Sequence, residues 1–148
     1  MRTVKLLLAI FFFVSICMQA QEIKVQRYLG KNLKEVSVEY GKPAYQDAAD
    51  SSMICTFYKL PNRNYTFVSD INGVYQVNAD IKYSSKEATM TAVNGFLKEC
   101  FETGYAIDTL STEQYKLHYS GFDLDIKAVP LDEKQQYQII IGATKRDE

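Results

Sequence analysis

Between Ser84 and Gly104 the apolar residues Ala88, Ala92, Val93, Phe96, Leu97, Cys100 and Phe101 recur at steps of three and four, the period of a helix with one buried stripe. Ser84-Ser85-Lys86-Glu87 supplies a capping box at its start, and Thr103-Gly104 a stop at its end. A shorter helix over 33–40 is predicted by Asn32 three residues ahead of Glu35, with Gly41 and Pro43 closing it. Elsewhere the period changes to two. Strands are expected at 53–60, 65–71, 74–83, 114–119, 122–129 and about 136–143, separated by turn residues. Ile23 and Val25 alternate with Lys24 and Gln26, which suits a brief strand or an extended arm, and 43–52 has no apolar period.

Two hairpins follow from this pattern. Asn72-Gly73 is a strong two-residue turn signal and would pair Val68 with Val77 and Phe67 with Asn78. That register sends Tyr65 and Phe67 to the face opposite Val68 and Val77, so either both faces are partly covered or a bulge shifts the pairing. Around Ser120-Gly121 the register is self-consistent: Tyr119 pairs with Phe122, Leu117 with Leu124 and Tyr115 with Ile126 on one face. The other face carries His118 across from Asp123 and Lys116 across from Asp125, both favourable cross-strand charge pairs. The predicted fold class is α+β: an antiparallel sheet of about six strands with two helices on one face, in the order α-βββ-α-βββ, which a duplicated unit would also give.

The first 20 residues read as an export leader. Arg2 and Lys5 precede the apolar run 6–18, broken only by Ser15, and this is shorter than the ~20 residues that a membrane-crossing helix needs. Cleavage is expected near Ala20, giving a periplasmic or secreted protein in which 21–148 form a single domain without a transmembrane anchor. Cys17 raises the alternative of a lipidated amino terminus, but Ile16 stands where such signals carry Gly, Ala or Ser. Loss of Arg2 and Lys5 makes the mature chain more acidic than the full sequence, whose net charge is −1, so an electrostatic grip on nucleic acid is excluded as a main activity.

The segment Gly30-Lys31-Asn32-Leu33-Lys34-Glu35-Val36, followed by Tyr40-Gly41-Lys42-Pro43, resembles the opening helix of the BamE/SmpA and β-lactamase-inhibitor-like families. Those families combine a short G-x-x-x-x-x-V helix ending in G-x-P with antiparallel strands. The resemblance covers 30–43 and implies non-catalytic work, either envelope assembly or protein binding across a sheet. No binding residue carries over, because the match stops at the helix, and the poor lipidation site departs from BamE-like lipoproteins.

The residues able to do chemistry are few. Cys55 and Cys100 are the only cysteines after the leader, and an even count in an exported chain permits one disulfide. A bridge would close a loop of about 46 residues and stabilise by roughly 4 kcal/mol in the chain-entropy model. The alternative is two reduced cysteines acting as small hydrophobes. His118 is the sole histidine, which removes mechanisms and metal sites that need two. A hydrolytic arrangement of Ser120, His118 and Asp123 can be drawn, but a turn serine beside an exposed ion pair lacks the oriented setting that activates a nucleophile. Asp123-Leu124-Asp125 and Asp47-Ala48-Ala49-Asp50 fall short of the ligand density of a calcium loop. GxxxxGK[ST], GxGxxG, HExxH, CxxC and GxSxG are all missing, so neither metal nor cofactor is expected. The 11 tyrosines and absent tryptophan are explained by half-exposed sheets, which enrich tyrosine, with a recognition surface as the lesser alternative. The function expected is an exported, non-catalytic module that binds protein through a sheet face or its hairpin tips. The alternatives are an inhibitor or immunity-type protein with one cognate partner, and a small hydrolase built around His118.

Overall fold

The computed structural model describes residues 22–131 and 136–146, so the expected leader and the expected cleavage near Ala20 lie outside the described residues. A 3-10 turn at Val25–Tyr28 precedes α1 (Leu33–Tyr40) and then β1 (Tyr45–Asp47), β2 (Ile54–Leu60), β3 (Arg63–Asp70) and β4 (Gly73–Tyr83). Next come α2 (Lys86–Glu102), β5 (Ala106–Ser111), β6 (Gln114–Tyr119), β7 (Phe122–Pro130) and β8 (Tyr137–Lys145). All eight strands join one antiparallel sheet in the order β1-β2-β3-β4-β8-β7-β6-β5.

This corrects the expected six strands and the α-βββ-α-βββ order: four strands follow each helix, and the fold is dominated by its sheet. The two additional strands are the sheet's edges. β1 is three residues long with every side chain exposed, and β5 buries only Ile107 even in part. An edge strand that contributes almost nothing to the core carries almost no apolar period, so pattern reading has nothing to detect.

Both helices start where capping chemistry predicts. Asn32 Oδ1 accepts from the Lys34 amide at 2.9 Å, and Ser85 Oγ accepts from Ala88 at 3.1 Å. In α2 the buried residues are Thr89, Ala92, Val93, Phe96 and Cys100. Phe101, placed on the stripe by its spacing, instead stands 71% exposed, and Thr89 takes an inner position with its hydroxyl donated to Ser85 O at 2.8 Å.

In the β3–β4 hairpin the turn sits one residue earlier than Asn72-Gly73, and of the two alternatives for its register the bulge is the one found. The loop is Ile71-Asn72, with Asp70 paired to Gly73, and the register shifts between Val68 and Ser69 so that Phe67 pairs with Val77. The cause is tertiary. Gly30 N–H donates to Val74 O at 2.7 Å and Val74 N–H to Lys31 O at 2.9 Å, which pins the first residues of β4 against the N-terminal segment. The shift brings Tyr65, Phe67, Val77 and Ala79 onto one buried face. The β6–β7 hairpin adopts the register read from sequence, from Tyr119 opposite Phe122 to Tyr115 opposite Ile126.

One row of the buried face runs through Thr56, Phe67, Val77, Ala143, Leu124, Leu117 and Ile107, crossing seven strands. Val36 of α1, Val93, Phe96 and Cys100 of α2, and Val25 of the 3-10 turn complete the core on that side. Tyr40 lies within 4.8 to 5.5 Å, centroid to centroid, of Tyr65, Phe67 and Tyr58, so α1 is docked through an aromatic cluster. The 3-10 turn is tied to α2 by Arg27, whose Nε and Nη2 donate to the two Glu99 carboxylate oxygens at 2.7 and 2.8 Å.

Candidate functional site: the open sheet face

Among the described residues both helices pack on the face just described, and the opposite face is the extended surface they leave open. Side chains alternate along a strand, and each row of the open face is therefore fixed by the registers. One row reads Tyr45, Phe57, Thr66, Asn78, Gly142, Asp125, Lys116, Asp108. The row beside it includes Cys55, Val68, Gln76, Thr144, Asp123 and His118. At the β1 end the face is aromatic, with Tyr45 and Phe57 rings 5.7 Å apart and both exposed. Its centre is mostly small and polar, with Val68 buried among its neighbours and Ile140 exposed. At the β5 end it is charged.

That charged end is built around His118. Nδ1 lies 2.7 Å from Asp123 Oδ1, and Nε2 lies 3.3 Å from Asp108 Oδ2. Arg146 Nε reaches the same Asp123 oxygen at 3.0 Å, and Lys116 lies 4.0 Å from Asp125. A carboxylate oxygen only accepts, so only the doubly protonated imidazolium can donate to both carboxylates. The hydrogen bond to Asp123 is the main cause of the raised His118 pKa, with Asp108 adding to it. Sequence reading places His118 with Asp123, as found, but misses Asp108 and Arg146. Asp108 sits on the unassigned edge strand. Arg146 belongs to a segment that reads as a charged tail, yet its backbone N–H donates to Gly121 O at 2.7 Å and fixes it beside the hairpin.

The remaining candidates are dispersed. Ser120 occupies the β6–β7 turn at φ 43°, and no hydrogen bond among the described residues joins it to His118. Cys55 and Cys100 are free thiols. The bridge held open from sequence is not formed, because Cys55 lies in an open-face row while Cys100 points from α2 into the core on the other side. Burial pushes the Cys100 thiol up to about 12, the opposite of an activated thiolate. Asp47 and Asp50 turn their carboxylates onto the backbone amides of Ala49 and Ser52, at 3.1 and 2.8 Å. Among the described residues no group of three His, Cys, Asp or Glu side chains is arranged to hold a metal ion. A cleft of about 480 Å3 between α1 and the β3–β4 hairpin is lined by Leu33, Ile54, Asp70 and Ile71, and one of about 220 Å3 runs beside α2 at Ala92, Gly95 and Glu99. Neither includes His118.

No family model and no curated protein matches the chain. Among solved structures it is similar to a cysteine-rich secretory protein from Staphylococcus aureus, at 11% sequence identity and a TM-score of 0.48, over 82% of this chain and 46% of that one. The chain thus spans about half the length of that protein. Among the described residues, no helix is long and apolar enough to cross a membrane.

Proposed function

We propose that this protein is an exported, non-catalytic binding module of the cell envelope that engages a partner protein through its open sheet face. The observation that carries the reading is the one-sided packing. Both helices and the 3-10 turn cover one face, and the other presents exposed Tyr45, Phe57 and Ile140 among paired charges. Rigid aromatic rings surrounded by polar rows are the composition of a recognition surface. A non-catalytic role is supported by the placement of Asp108, a carboxylate and not a nucleophile, against the His118 nitrogen that Asp123 leaves. The leader-like 1–20 and the resemblance of the α1 segment to BamE/SmpA and β-lactamase-inhibitor-like proteins support the compartment and the class.

The test is capture from envelope extract with the mature protein as bait. Replacing Phe57 and Ile140 with Arg should abolish recovery of the partner, whereas Val38→Arg, at an 86% exposed site on α1, should not. Equal recovery by all three baits would move the binding site off the sheet. A single partner recovered at one-to-one stoichiometry favours the inhibitor or immunity-type form of the same reading.

A further inference from the structure

The geometry points to His118 as a proton-operated clamp on the β5 edge of the sheet: as the imidazolium it joins Asp108 of the edge strand to Asp123 two strands away, and its neutralisation loosens β5. This goes beyond partner binding and needs no partner. The contacts that survive loss of the proton decide which strand loosens.

Four charged groups surround the ring from the neighbouring elements. β5 supplies Asp108, β7 supplies Asp123 and, one row over, Asp125, and the segment after β8 supplies Arg146. On β6 itself Lys116 is turned to Asp125. When the ring is neutral it carries one N–H, so only one of the two carboxylates can keep its hydrogen bond. Asp123 retains Arg146 in either state. Among the described residues no other cation pairs with Asp108, so the arm to β5 is the one that the lost proton costs.

β5 is the strand where such a loss has an effect. It has one neighbour, β6, and its register is already interrupted between Thr109 and Ser111. Ile107 is its one partly buried side chain, and Leu110 is 53% exposed. With so little core contact, local opening of β5 is governed by its ladder and by the Asp108 contact. The sign follows from the raised His118 pKa. The contribution is fully present below the ordinary histidine value of 6.5 and disappears as pH rises through the higher folded value.

The experiment is an NMR titration of the mature protein. The imidazole signals belong to a single histidine, and backbone amide exchange is read at each pH relative to the intrinsic rate. β5 amides should lose protection by up to about fivefold as the ring deprotonates, the factor carried by one exposed ion pair. β7 and β8 amides should keep theirs. Asp108→Asn should flatten the β5 response and leave β7 unchanged, and His118→Gln should flatten it independently should the first variant fold poorly. β5 protection that is equal on both sides of the histidine midpoint, or a response that persists in Asp108→Asn, overturns the clamp.

Discussion

Gly73 concentrates several demands in one residue. It closes the β3–β4 loop at φ 123°, and a Cβ placed there would lie 2.8 Å from Lys31 O and 3.0 Å from Gly30 O. Both obstacles are backbone, held by the hydrogen bonds that seat Val74, so neither can move without undoing the register of β4. Gly73→Ala should therefore destabilise by more than the ~1 kcal/mol of a conformational penalty alone, measured by chemical denaturation. Gly41, also at positive φ but with open space around it, should lose only the conformational part. Asn72-Gly73 is legible as a turn, but its placement is not. The deciding contact comes from Gly30 and Lys31, about 40 residues away in sequence, and nothing local in the hairpin encodes it.

At the scale of elements, α2 is legible because helix periodicity and caps coincide, and the β6–β7 hairpin because turn, apolar face and charge pairs agree. The two edge strands are illegible for the opposite reason, since their side chains are almost all exposed and supply no apolar period. One member of the charged cluster is hidden with them, as Asp108 enters the site only once β5 is known to flank β6. The 3-10 turn illustrates an attachment with its own pH signature. Hydrogen bonds from the Arg27 guanidinium hold the Glu99 carboxyl below its ordinary value of 4.5, with Gln26 assisting. A lowered folded pKa stabilises above the unfolded value, and this contribution is lost as pH falls from about 5 through the folded value. Arg27→Gln should remove that acid-side loss, at a cost near neutral pH of no more than about 1 kcal/mol because the pair is partly exposed. Thermal melts of both proteins between pH 3 and 7 would read the difference, and parallel curves would contradict it.

For the whole molecule, the separation of the two thiols by the sheet gives a direct measurement. A thiol-reactive dye should label Cys55 in the native protein and Cys100 only after denaturation, and a reductant should leave the melting temperature unchanged. A melting temperature that falls on reduction would show a bridge and a rearranged β2. The sheet order has a consequence for how the chain acquires its shape. Its first four strands and its last four meet along a single seam, β4 against β8, and β8 is the last of the eight to leave the ribosome or an export channel. Until it arrives, Val77, Ala79 and Ile81 stand along an unzipped border about 60 residues upstream, a separation that slows closure. A nascent chain is thus a pair of unfinished half-sheets, and its keystone is delivered last. Fragments that stop short of Tyr137 should be sticky intermediates in need of a chaperone rather than smaller working versions of the protein.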